Sequence, residues 1–180
     1  MADADTQIDL EALHSAIASQ IAEAFPSFET VEFYREDERE SFPTPACLLE
    51  LTEAEPAPSQ DAGTGQWPAL LRFEARVIMS ARQPQAKLEI RKAATALATW
   101  LNKRRFIGMP TDPCEVIACE RDEWAPKRDN FETWRVEWVQ LAMLGVSEWK
   151  NEGVVPEVVY LGRSPDIGAA HVDDYEQVHP

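Results

Sequence analysis

The sequence predicts an α+β fold: a mostly antiparallel mixed sheet of about five strands with two helices packed on it, followed by an extended C-terminal tail. Three observations predict it. Two segments place apolar residues at helical spacing, several shorter ones alternate or run apolar as strands do, and the patterning fades after Gly145. The 180 residues are 44% hydrophobic and 27% charged, ordinary for one globular domain able to bury a core. The expected division is a domain over 1–149 and an arm over 150–180.

Residues 8–25 read as an amphipathic helix, with Ile8, Leu13, Ile17, Ile21 and Phe25 on one stripe. Thr6, with Asp9 three residues on, looks like its cap, and Pro26 stops it. Residues 29–35 alternate as a strand. Pro43 and Pro45 delimit a second, Ala46 to Leu51, whose near-continuous apolar character suits a place inside the sheet. Residues 52–66, with Pro56, Pro58, Gly63 and Gly65 and no periodicity, read as a long flexible loop.

The clearest strand is 67–81. Leu71, Phe73, Ala75, Val77 and Met79 share one face; Arg72, Glu74 and Arg76 share the other, so one face packs and one is wet. A second helix is expected over 84–104, with Pro84 in its first turn and Ile90, Ala94, Leu97 and Leu101 as its stripe. Lys103, Arg104 and Arg105 would close it and complement the helix dipole. Residues 114–121 alternate as a strand, 122–130 form a loop, and 131–144 form a long strand with Trp134, Val136 and Trp138 on one face. The crossover helix before 114–121 permits a parallel pair. Residues 146–180 hold one short apolar run, Val158 to Leu161, amid Pro, Gly and acidic residues, and read as a tail that orders only against something else.

A net charge of −15 and a pI near 4.5 argue against general nucleic-acid binding and against anionic membrane surfaces. The N-terminus lacks the basic start and apolar core of a signal peptide, and no apolar run is long enough for a bilayer, so synthesis in the cytoplasm is expected. The three cysteines, Cys47, Cys114 and Cys119, are an odd number, and reduced thiols are expected. Cys114 and Cys119, five apart in one strand, would point to opposite faces, which is poor zinc geometry.

Catalytic constellations are missing. The histidines are His14, His171 and His179, with no His-Glu-x-x-His, no Gly-x-Ser-x-Gly and no phosphate loop. Cys47 has no evident histidine partner. His171, Asp173 and Asp174 read as a solvated acidic stretch rather than a metal site, and the Glu36–Glu40 run as a charged loop. The expectation is a protein that is not an enzyme and takes no cofactor and no metal. Six tryptophans are many for this length, and Trp67, Trp124 and Trp149 fall at strand edges or in loops. They are expected at subunit or partner contacts, where tryptophan is enriched. Lys103, Arg104, Arg105, Tyr160 and Tyr175 join them as candidates.

Several features together are similar to the tail terminator (tail completion) proteins of long-tailed phages and prophages. These are a first helix ending in Phe25-Pro26, a Pro-bounded apolar strand, and Trp67 opening a long strand after a loose loop. They continue with the alanine-rich Arg91 to Leu101 helix and the closing strand Trp134-Arg-Val-Glu-Trp-Val-Gln140 that ends at Leu144-Gly145. The resemblance covers about 8–149 and implies nothing for the tail beyond 150. It implies a structural virion protein at the head–tail junction that forms a ring, expected to be hexameric. Such a ring caps the tail-tube protein, stops its polymerisation and offers a surface to the head–tail connector protein. DNA would only pass through the lumen, from which an acidic lining would repel it. Two other readings stand beside it: a head–tail connector or tube protein, or an acidic inhibitor or DNA mimic that binds a basic partner.

Overall fold

A computed structural model describes residues 8–35, 42–106, 109–122, 130–148 and 158–178. The chain divides into two compact units, Met1–Trp149 and Lys150–Pro180. The first is α+β. Helix α1 spans Leu10–Ala24, and strands β1 (Thr30–Phe33), β2 (Ala46–Pro56) and β3 (Trp67–Ser80) follow. Helix α2 (Ala86–Leu101) then leads to β4 (Glu115–Arg121) and β5 (Phe131–Leu144). The sheet order is β1-β2-β3-β5-β4. β1 is parallel to β2 and every other neighbouring pair is antiparallel. The crossover through α2 therefore does not make a neighbouring parallel pair, because β5 lies between β3 and β4; the parallel pair is β1 with β2.

Both helices bury their stripes against one face of the sheet. Leu13, Ile17 and Ile21 of α1 and Ile90, Ala94, Leu97 and Leu101 of α2 join Leu71, Phe73, Ala75 and Val77 of β3 and Val136 and Trp138 of β5 in one core. Phe73 and Trp138, directly opposite in register, stack with ring centroids 5.3 Å apart. This is the sheet's main aromatic anchor.

The helix termini differ from expectation for local reasons. Asp9 is itself the cap of α1, accepting from the Glu11 backbone N–H; Thr6 lies outside the described residues. α2 starts only at Ala86, because Gln85 takes left-handed angles (φ 57°) and breaks helical continuity behind it, leaving Pro84 in a preceding turn. α2 ends at Leu101, so Lys103, Arg104 and Arg105 lie beyond it and do not cap its dipole. The Lys103 N–H goes to the Cys114 carbonyl at 2.7 Å instead of back along the helix.

Two β-bulges explain where alternation misleads. β2 does not stop at Leu51. Its register shifts between Leu51 and Glu53, and Glu53 to Pro56 continue to pair with β3 in the opposite phase. The remainder of the expected flexible loop is tied down: Ala57 N–H bonds the Pro68 carbonyl, Glu148 N–H bonds the Thr64 carbonyl, and the Gln66 side chain reaches the Gly145 carbonyl at 2.9 Å. Gly65 (φ +73°) closes this turn, with the Glu148 side chain where a Cβ would sit. In β4 the shift falls between Val116 and Ala118, so Cys114 and Cys119 both pack on the core side rather than on opposite faces.

The second unit is not an extended arm over its described residues. β6 (Val159–Leu161) pairs antiparallel with β7 (Glu176–Val178), with a 3₁₀ segment, Ala169–Asp174, between them. Tyr175 organises it: its hydroxyl accepts the Gly168 N–H at 2.8 Å, and its ring lies where a Cβ on Gly162 would clash.

Candidate functional site

The sheet face turned away from the helices carries a lattice of charges that the register builds. Glu50 of β2, Glu74 of β3 and Glu137 of β5 lie opposite one another in a single cross-strand row. Like charges opposite one another repel. The neighbouring rows answer with Arg72 on one side and with Arg76 and Arg135 on the other. Arg72 reaches Glu137 at 2.7 Å, Glu55 at 2.5 Å and Glu53 at 3.5 Å. Arg76 reaches Glu74 at 2.9 Å, and Glu50 and Asp122 at 3.4 Å each. Arg135 reaches Glu74 at 2.9 Å, Glu137 at 3.7 Å, and also Glu120.

Three guanidiniums thus serve seven carboxylates, and the face keeps a surplus of negative charge. Hydrogen bonds to Glu55 and then Glu137 raise the Arg72 pKa, and that to Glu120 raises Arg135, so both stay cationic at any accessible pH. Glu74 is 8% exposed, so the centre of the lattice is shielded from water while its edges are not. The face expected to be wet is a half-buried ionic plane.

At one end of this plane the charges give way to a groove of about 750 Å³. Leu70, Val139 and Leu141 of the open face line it, together with Ala57, Ser59, Gln60, Asn102, Lys103 and Asp112 to Val116. Buried Gln140 secures the 111–112 segment that lines it. The Gln140 amide donates to Thr111 Oγ1 at 3.2 Å and to the Asp112 carbonyl at 3.1 Å, and its oxygen accepts from the Trp138 indole. Lys103 is held by paired backbone bonds, its own N–H to Cys114 O and Cys114 N–H to Arg104 O. It adopts φ +63°, a left-handed conformation that costs an L-residue about 1–2 kcal/mol.

The structure separates the candidate contact residues. Trp67 is 45% exposed at the start of β3. Trp124 and Trp149 lie outside the described residues, as does the Glu36–Glu40 run. Lys103 lines the groove and Arg105 is exposed beside it, with a bond to the Thr111 carbonyl. Arg104 turns inward, its guanidinium 3.7 Å from the Trp100 ring centroid. Tyr160 is 59% exposed in the second unit, whereas Tyr175 is half-buried and engaged within it. The residues missed from sequence were Gln140, Arg135, Glu137 and Glu50. A signal for the last three existed in the matching Arg/Glu alternation of facing strands.

The thiols are free, and Cys47 and Cys114 are buried. Burial pushes each of these two up to about 12. The folded state holds their protons while an unfolded thiol releases one near its ordinary value. Their contribution to stability is therefore complete below about pH 9 and is lost as pH rises through about 12. Denaturant melts between pH 8 and 11 should show stability falling, with a shallower fall in Cys47→Ala; an equal slope would contradict this. Among the described residues no group of three or more His, Cys, Asp or Glu is placed to hold a metal ion, and His171 pairs with Asp174 at 3.1 Å. No described helix is long and apolar enough to cross a membrane. Comparison with known protein families and with curated proteins finds no match for this chain.

Proposed function

We propose that this chain is a tail terminator: a ring subunit, six to the ring, that caps the tail tube, stops its growth and presents a surface to the head–tail connector. The carrying observation is the open face of the sheet. Helices finish one side, and the other is left as an ion-paired plane with surplus carboxylate, suited to a lumen that must let DNA pass without holding it. The sequence resemblance over 8–149 supports the same function. Its test is tube growth: substoichiometric protein added to polymerising tail-tube protein shortens the tubes and decorates one end. Tubes of unchanged length would overturn it.

Removal of residues 150–180 should leave the first unit's thermal unfolding nearly unchanged, because Met1–Trp149 is a compact unit by itself. Assembly on tubes should weaken. A large drop in melting temperature would contradict this division of labour.

The cross-strand carboxylate row also suits an acidic inhibitor or DNA mimic. Such a protein would bind a basic partner as a monomer or dimer and would leave tube length alone.

A further inference from the structure

Seven large apolar side chains in the stretch 158–178 are exposed, Val159, Tyr160, Leu161, Ile167 and Val172 among them. A two-stranded pair with both faces in water is marginal by itself, so this surface calls for a cover. The same stretch carries Asp166, Asp173, Asp174 and Glu176 against one arginine, Arg163, and one histidine, His171. Arg163 lies 3.8 Å from Glu176, and His171 lies 3.1 Å from Asp174. Asp166 and Asp173 are exposed and have no ion-pair partner among the described residues. The complement of this stretch is a surface with net positive charge and some aliphatic contact.

The outer face of α2 has both properties. Elsewhere in the first unit positive charge is already matched or outnumbered. Arg72, Arg76 and Arg135 serve the carboxylates of the open face, Lys103 shares the groove with Asp112 and Glu115, and α1 holds no lysine or arginine. On α2, Lys87 with Arg91 and Leu88 with Lys92 are spaced i,i+4, so these four exposed residues share one side of the helix. Leu88 is 49% exposed, and Arg82 is exposed in the turn just before the helix. Four cations thus stand against the one carboxylate of residues 82–101, Glu89, which Lys92 meets at 2.8 Å. Arg82 and Lys87 have no ion-pair partner among the described residues, and Arg91 lies over the Trp134 ring, 5.2 Å from its centroid. The place of Lys87 is an independent sign. It stands in the first turn of a helix without a side-chain cap, where the helix dipole is positive and a cation destabilises. The fold gains nothing from that charge, whereas an anionic partner would be attracted by the lysine and the dipole together.

We propose that this face of α2 receives the 158–178 stretch of a second copy of the chain. Both surfaces are exposed in the single chain, and a second copy brings the complement of each. The inference rests on the ring-subunit function above and names its inter-subunit contact. Head-to-tail docking of this kind uses a different patch on each partner, as a closed ring requires. α2 packs on the sheet face opposite the charged plane, so the contact leaves that plane free.

The experiment mixes dilute full-length protein in natural and ¹⁵N-labelled form, concentrates it and treats it with a zero-length carbodiimide cross-linker, followed by peptide mass spectrometry. Mixed-isotope links from Lys87 or Lys92 to Asp166, Asp173, Asp174 or Glu176 are expected. Links confined to one isotope, or none at all, overturn the proposal. Full-length Lys87→Glu supplies a second readout. An anion suits the first turn of α2, so its Tm should hold or rise by roughly 1–3 °C, while self-association weakens about tenfold. Unchanged association, or a lower Tm with weaker association, would assign Lys87 to the fold alone. Binding of a duplex DNA probe that Lys87→Glu abolishes would give the face to nucleic acid instead. Tube capping without mixed-isotope links would sink this docking and leave the terminator function standing. Mixed-isotope links without capping would do the reverse.

Discussion

Trp138→Ala should destabilise the first unit by about 3–5 kcal/mol, the range for truncating a large buried aromatic. Trp138 is fully buried at the centre of β5 and stacks on Phe73 across the β3–β5 pair. Its indole N–H also meets the Gln140 carboxamide, which in turn holds Thr111 and Asp112 at the groove. The truncation leaves a cavity between sheet and helices and removes one restraint on the groove. Chemical denaturation followed by far-UV circular dichroism measures the loss. Trp138→Phe should recover more than half of it, since a ring against Phe73 remains. A Trp138→Ala penalty below about 1 kcal/mol would mean that the stacked pair is not the anchor of the sheet.

Arg135→Ala should cost about 2 kcal/mol at low salt, less than a fully buried pair because Arg135 is 32% exposed. The reason lies in the cross-strand register. Glu74 and Glu137 face each other directly, and Arg135 bonds or pairs with both. Without it two half-shielded carboxylates confront one another with Arg76 and Arg72 alone as counter-charges. Glu74→Gln in the Arg135→Ala background should restore about half of the loss, because one of the facing charges is gone. A double-mutant cycle measures that coupling. Additive effects of the two substitutions would show that the lattice is a set of independent surface pairs.

Much of the fold was legible in the sequence where one physical signal acts alone. β5 runs from Phe131 to Leu144, the span its alternation predicts, because nothing interrupts its phase. The Leu71 to Met79 face of β3 is buried as its period demands. The signal failed where one residue resets the phase. The shift after Leu51 moves Glu53 and Glu55 onto the charged face and makes a strand look like a loop. The shift after Val116 brings Cys114 and Cys119 to the same side. Backbone angles were equally hidden: nothing in the residue types announces left-handed Gln85, which sets the start of α2, or left-handed Lys103, just beyond its Asn102 cap.

For the site, composition announced an acidic protein and strand parity placed Arg72, Glu74 and Arg76 away from the core. The lattice itself needs the registers of β2, β5 and β4 against β3 and one another, and these depend on the bulges. The order in the second unit escaped for a different reason. It rests on one tyrosine over one glycine, Tyr175 on Gly162, a contact with no periodic signature.

The central claim is that this chain is a subunit built to close a ring on a tube end. Light scattering on the purified full-length protein, alone and after mixing with tail-tube protein, tests it most directly. A closed species near six times the 20.3 kDa chain mass, or short capped tubes in the mixture, is the predicted result. A single-chain mass in both samples, with tubes of undiminished length, would contradict it and direct the search to a basic partner for the open face.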